Sequence, residues 1–426
     1  MTGRQGLRIS RRRTFILGLL LLLIITGIAW KITQQRANSP SPDPLPGRLL
    51  RERFIPYALP GGDTLYRDDA WLLFLGSRVN EQPLKRVVAF SLSDLQIAWE
   101  TSLDATPIQA LRLGKMFLIV AVTPSASSTK ATLYALDERG KILWHGALGS
   151  GLVDITRDSG GEIWAAEEEG LAHLTVTSKG LQQDRLPWPA HMSKGEWLRI
   201  TAFSHEGHSY LVASRGRHVV FYRRRGNTWH VVWEFESAGK VLDLVPLPGT
   251  EEALMVLAHS VAYGLDIQGH PTWKVTNSDF NQDGRVFACE DGPVCGAFRN
   301  VLGQIYVDVP GKGIRTWALP GGRAHLGIIP LPFPQHLALG LDVGDVDGRG
   351  TPEIVVRSLT HLFVYDPEGH LLAMQPIEAG QKAGSAGVVI RLRKEPKYAP
   401  IVAHHRIIVS GKSGIHIFTY DGSTTP

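Results

Sequence analysis

The chain has 426 residues, 43% apolar and 20% charged, enough to build a core and too few charges for a globally disordered polymer. Its formal charge of +5 misleads. Seven basic residues (Arg4, Arg8, Arg11, Arg12, Arg13, Lys31 and Arg36) precede residue 37 with no acid among them, leaving 38 basic against 40 acidic residues. A nearly neutral remainder argues against a nucleic-acid partner.

The first element is a membrane segment. Phe15 to Trp30 runs without a charge, preceded by Arg11, Arg12 and Arg13 and followed by Lys31. A bilayer core needs about 20 helical residues. Snorkelling by Arg13 and Lys31, with Trp30 at the interface, makes up the shortfall. The pattern predicts a transmembrane signal-anchor helix over 14–30. The positive-inside rule places the basic tail 1–13 in the cytoplasm and the rest of the chain outside, as a single-pass membrane protein; the sequence holds no Asn-x-Ser/Thr acceptor, which favours a bacterial cell membrane over a eukaryotic secretory route. A rival reading takes Arg12-Arg13-Thr14-Phe15-Ile16 as the core of a twin-arginine export signal, with Gly27-Ile28-Ala29 as a weak cleavage site. Either reading exports the globular part. Residues 31–48 hold Ser39-Pro40-Ser41-Pro42-Asp43-Pro44-Leu45-Pro46, which favours extended polyproline II and reads as a semi-rigid stalk.

From 49 to 426 strand-like runs and turn signals alternate, and no amphipathic helix of three turns interrupts them. Leu-Tyr-Ala-Leu-Asp-Glu-Arg-Gly-Lys-Ile-Leu-Trp at 133–144 returns as Ala-Tyr-Gly-Leu-Asp-Ile-Gln-Gly-His-Pro-Thr-Trp at 262–273. Such a unit cannot bury its own faces and must stack on neighbours, so the expected fold is an all-β, β-propeller array. The third strand of each unit is read at 87–90, 133–136, 170–174, 219–222, 261–264, 304–307, 362–365 and 415–418. Asp137, Asp266, Asp366 and Asp308 are expected to accept turn amides, and Gly140, Gly269, Gly369 and Gly311 to take positive φ. The tryptophan that follows is expected between adjacent blades. The eighth unit ends at Gly422 without room for a fourth strand, and the apolar run Arg53–Leu59 is expected to supply it, closing the ring. Eight four-stranded blades are favoured, with seven the runner-up because the third unit is weakly marked.

The spacing Asp-x-x-Gly-x-x-x-Trp at 137–144 and 266–273 resembles the repeats of pyrroloquinoline-quinone-type propellers, a group that includes outer-membrane assembly lipoproteins sharing the fold without the cofactor. Gly344-Asp345-Val346-Asp347-Gly348-Arg349-Gly350-Thr351-Pro352-Glu353 resembles the FG-GAP or VCBS repeat of integrin-like propellers. That second resemblance implies a cation lined by Asp345, Asp347, position 349 and Glu353. Here the third of these is Arg349, which would act as a salt-bridged mimic of the ion, and Asp342 is a substitute oxygen donor. A purely structural turn is the competing reading.

A second candidate loop is Asp279-Phe280-Asn281-Gln282-Asp283-Gly284, with oxygen side chains at alternate positions before a glycine. Asp279, Asn281, Asp283 and the carbonyl of Arg285 are the expected ligands, and Glu290 falls at the twelfth position. Calcium as a structural ion and a plain polar turn both satisfy this pattern. The two cysteines, Cys289 and Cys295, stand six positions apart beside it; export favours a disulfide, and two buried thiols are the alternative.

Catalytic signals are weak. His205 with His208, and His404 with His405, are the only close histidine pairs. Neither has a helical zinc context, and alternation along a strand would point His404 and His405 apart. The run Arg223, Arg224, Arg225 reads as a solvated hairpin turn. No nucleophile elbow or phosphate loop is present, and no organic cofactor is expected. The expected function is therefore a membrane-anchored binding or scaffold propeller for a protein, glycan or envelope component. A quinone-dependent dehydrogenase or polysaccharide-active enzyme is the rival.

Overall fold

The computed structural model describes residues 45–422 except 58–63, 77–84, 125–128, 151–152, 159, 178–179, 193–197, 248–251, 259–260, 277–297, 302–303, 310–312, 319–323, 330–337, 359, 378–399 and 411–413. No helix among the described residues is long and apolar enough to cross a membrane, and the expected span 14–30 lies outside them.

Every described regular element is a strand, and the strands form eight four-stranded antiparallel sheets. Seven of them take four consecutive strands each, over 64–102, 106–150, 154–187, 198–236, 241–276, 298–329 and 338–376. The eighth is composite. Its order runs from Ile401–Ala403 through Arg406–Ser410 and Ile415–Asp421 to Arg48–Ile55, so the amino-terminal strand pairs with the carboxy-terminal one, Arg48 opposite Asp421 and Ile55 opposite Ile415. The closing strand thus starts five residues earlier than the run chosen from sequence. The reason lies in which side chains it buries: Leu49 is buried against Val346 and Phe418, while Phe54, which suggested the later start, is 40% exposed.

Middle strands are buried along their whole length, as Arg86–Ser91 and Glu353–Ser358 show, because sheets cover both of their faces. Outer strands alternate, as in Gln96–Ser102, with one face solvated. Apolar clusters join the first sheet to the second, second to third, third to fourth and fourth to fifth. Others join the seventh to the eighth and the eighth back to the first.

The repeated tryptophan works across these joints. Trp99 of the first sheet lies on the turn at Gly140 of the second, and Thr101 Oγ1 donates to the Gly140 carbonyl at 2.5 Å. Trp144 Nε1 donates to Thr177 O of the third sheet at 2.9 Å, and Trp233 Nε1 to Ile267 O of the fifth at 2.9 Å. The Asp-x-x-Gly turns, two of which lie under Trp99 and Trp233, fold as their composition requires. Asp137 Oδ1 takes the amides of Arg139 and Lys141, and Asp266 Oδ1 those of Gln268 and His270. Gly140, Gly269 and Gly369 have φ of 79°, 87° and 91°. At the composite sheet an arginine substitutes: Arg53 Nη1 of the closing strand donates to Asp94 O of the first sheet at 3.0 Å.

The first strands of successive sheets are also bridged by polar side chains. Gln109 exchanges two hydrogen bonds with the Ile155 backbone, at 2.8 and 2.9 Å, and Asp154 Oδ2 accepts the Ile200 amide at 2.9 Å.

Three sequence readings need correction. In the sixth unit, residues 304–307 belong to the second strand of their sheet and Trp317 to the third, with Tyr306 opposite Thr316. Asp308 therefore lies in a strand; its spacing to Trp317 imitates the repeat motif one strand out of step. His404 and His405 are not strand residues but the two residues of a tight turn between Ala403 and Arg406. Arg225 does close a hairpin with Thr228, yet Arg224 Nη2 is paired with Glu162 of the third sheet at 2.9 Å rather than free in solvent.

Candidate cation loop

The residues that come together are those of the hairpin loop 345–352 in the seventh sheet, between Ala338–Gly344 and Glu353–Ser358. Asp345 organises it. Its Oδ1 accepts the amides of Gly348 at 2.7 Å and Arg349 at 3.1 Å, and its Oδ2 that of Gly350 at 3.0 Å. Asp347 Oδ1 accepts the Arg349 amide at 2.9 Å. Gly348 and Gly350, with φ of 76° and 83°, allow the chain to curl around one carboxylate. Glu353 returns from the start of the next strand, where its Oε2 accepts the Val346 amide at 2.8 Å.

Asp345, Asp347 and Glu353 thereby each bring a carboxylate oxygen within 4.8 Å of the others. Burial first, then the charges of Asp347 and Asp345, push the Glu353 carboxyl up to about 7 against the amide it accepts. Burial also works to raise Asp345, but the amides of Gly350, Gly348 and Arg349 and the neighbouring His405 outweigh it and hold that carboxyl below its ordinary value. Tyr420, from the eighth sheet, is raised by burial and next by the charge of Asp347.

The donor set is three hard oxygens, which suits a calcium-like cation. Glu353 fits such an ion because a buried carboxyl pushed towards its protonated form is one whose charge lacks compensation. Arg349 competes: its Nε lies 3.3 Å from Asp347 Oδ2 while most of its side chain is exposed. Asp342 does not join the loop. It is fully buried, and its Oδ2 accepts Arg67 Nη1 of the first sheet at 2.6 Å and the Val402 amide of the eighth at 2.8 Å. Asp279, Asn281, Asp283, Arg285 and Glu290, with Cys289 and Cys295, lie outside the described residues.

Two neighbours of the loop were not anticipated as such. His405 Nδ1 stands 3.0 Å from Asp345 O and 3.6 Å from its Oδ2, and Tyr420 comes from the strand beyond. Both are more than fifty residues away in sequence, so no local spacing could have marked them.

No protein-family profile matches the chain, and no curated protein matches it. Solved structures do. BamB from Moraxella catarrhalis superposes with a TM-score of 0.54 at 11% identity, over 87% of this chain and 99% of that one. The Dos1 propeller gives 0.55 at 9% identity, over 87% and 94%. The computationally designed Ika8 protein gives 0.53 at 11% identity, over 88% and 99%. At such identities the likeness is one of fold, and it places the sheet array among the β-propellers.

Proposed function

We propose that the protein is a membrane-anchored, extracytoplasmic β-propeller of eight blades that serves as a binding or scaffold module for a protein, glycan or envelope partner. The observation that carries the reading is the composite eighth sheet. The strand that completes it, Arg48–Ile55, begins directly after the proline-rich stretch, so the array starts where the tether of the sequence ends. Side chains from many repeats are committed to joints between sheets, which favours a rigid platform. In the same reading the loop of Asp345, Asp347 and Glu353 takes a structural calcium ion, and Cys289 and Cys295 form a disulfide.

Cross-linking and pull-down of the full chain from native membranes, with and without chelator, tests the binding role. Recovery of one stoichiometric partner supports it; turnover of a quinone or polysaccharide substrate by the purified chain would replace it with the enzymatic reading. A reporter fused after residue 422 tests the topology and should be active only outside the cytoplasm. The cysteines should resist alkylation until reduced.

A further inference from the structure

We infer that the His404–His405 turn is a latch fixing the composite eighth sheet to both of its neighbours. The inference rests on the reading of the sheets as one closed ring, in which the eighth is the sheet made from both chain ends.

The first strand of that sheet, Ile401–Ala403, is three residues long, and it turns into Arg406–Ser410 with Ala403 opposite Arg406. A two-residue hairpin turn of type I′ needs positive φ at both central positions, which favours Asn-Gly or a similar pair. His404 and His405 occupy these positions with φ of 49° and 58°. The corresponding hairpin of the fourth sheet uses Glu206 and Gly207, at 48° and 74°, so the fold accommodates a glycine in such a turn. Two consecutive side chains held in the left-handed region persist only where the surroundings over-determine them.

Those surroundings are the two flanking sheets. His404 Nε2 lies 2.7 Å from Asp69 O in the first sheet's turn, and His405 Nδ1 lies 3.0 Å from Asp345 O in the seventh. A carbonyl oxygen only accepts, so each ring nitrogen is the donor, and one neutral tautomer of each ring suffices. A Cβ built on Gly348 would sit 3.7 Å from His405 Nδ1, so that ring rests on the seventh sheet's loop. The Val402 amide, two residues earlier, bonds Asp342 Oδ2 of the seventh sheet, the same oxygen that Arg67 of the first sheet reaches. Residues 402, 404 and 405 therefore tie three sheets together at the point where the chain ends meet. The turn keeps two strained histidines because glycine or asparagine there would be too short to span to the flanking carbonyls.

The test replaces the turn with the pair that suits it best locally. In the full chain, the double substitution His404→Asn with His405→Gly relieves backbone strain, so a turn without a wider role becomes more stable. The latch predicts the reverse: the thermal midpoint falls by about 2–6 °C, while Glu206→Asn in the fourth sheet leaves it level or raises it. Hydrogen exchange should speed up about tenfold at 401–410 and also at 64–76 and 353–358. His404→Asn alone should loosen the first-sheet side, and His405→Asn alone the seventh. An unchanged or higher midpoint, or faster exchange confined to 401–410, overturns the latch. Failure of the ring reading is seen separately, as unprotected amides over 48–55 in the unsubstituted chain.

Discussion

Glu353 sits only 3% exposed, and its raised carboxyl gives a pH dependence whose sign can be worked out. Its folded value of about 7 exceeds the ordinary 4.5, so the native chain holds that proton longer than the unfolded one. Stability then falls as pH rises from about 4.5 to 7, by up to ~3 kcal/mol. Glu353→Gln should flatten this slope in urea unfolding compared at pH 5 and 7.5, and calcium should flatten it in the unsubstituted chain by compensating the charge. An identical slope in the variant would show that Glu353 is not its source. Glycine positions separate two costs at the same scale. Gly226 has φ of 61° with open space around it, so Gly226→Ala should cost only backbone strain, about 1–2 kcal/mol. Gly269→Ala adds a clash of its methyl with the Trp233 indole and should cost visibly more in the same assay.

At the scale of elements, the Asp-x-x-Gly turn and its tryptophan were legible because both are local chemistry: an acceptor for turn amides, a residue free to take positive φ, and a large ring awaiting a partner. Which surface receives the ring was not legible, since the indole of one sheet lands on the turn of the next. Trp233→Phe keeps most of the buried ring but loses the bond to Ile267 O, and should cost about 1 kcal/mol. Trp233→Ala should cost roughly 3–5 kcal/mol by emptying the joint, where the ring also stacks on Phe221 with centroids 3.7 Å apart. Equal losses in thermal unfolding would assign the whole effect to the hydrogen bond. The sixth unit shows the limit of reading by pattern. An aspartate, a glycine and a tryptophan stand at nearly the right spacing there, yet strand pairing sets the motif one strand earlier, because register is fixed by partners rather than by a single strand's residues.

Over the whole array, the strand Arg48–Ile55 carries the most consequence for its length, because it covers an edge that would otherwise be open. Leu49→Asp places a charge among Val346, Ile407 and Phe418 and should release that strand, which limited proteolysis would detect as cleavage near residue 50 together with higher oligomers. A variant as resistant and as monodisperse as the parent would mean that the edge is protected by other means.

The sequence by itself determined the all-β repeat, the turn chemistry, the acidic loop at 345–353 and the need for an amino-terminal strand in the last sheet. Periodicity, turn propensity and the alternation of acidic side chains are properties of neighbours along the chain. Only the tertiary structure decided that Leu49 rather than Phe54 anchors the closing strand, that Asp342 is held by Arg67 and Val402, and that two adjacent histidines face opposite sheets. Each of these depends on which distant surface a side chain meets once the first and last strands of the array come together.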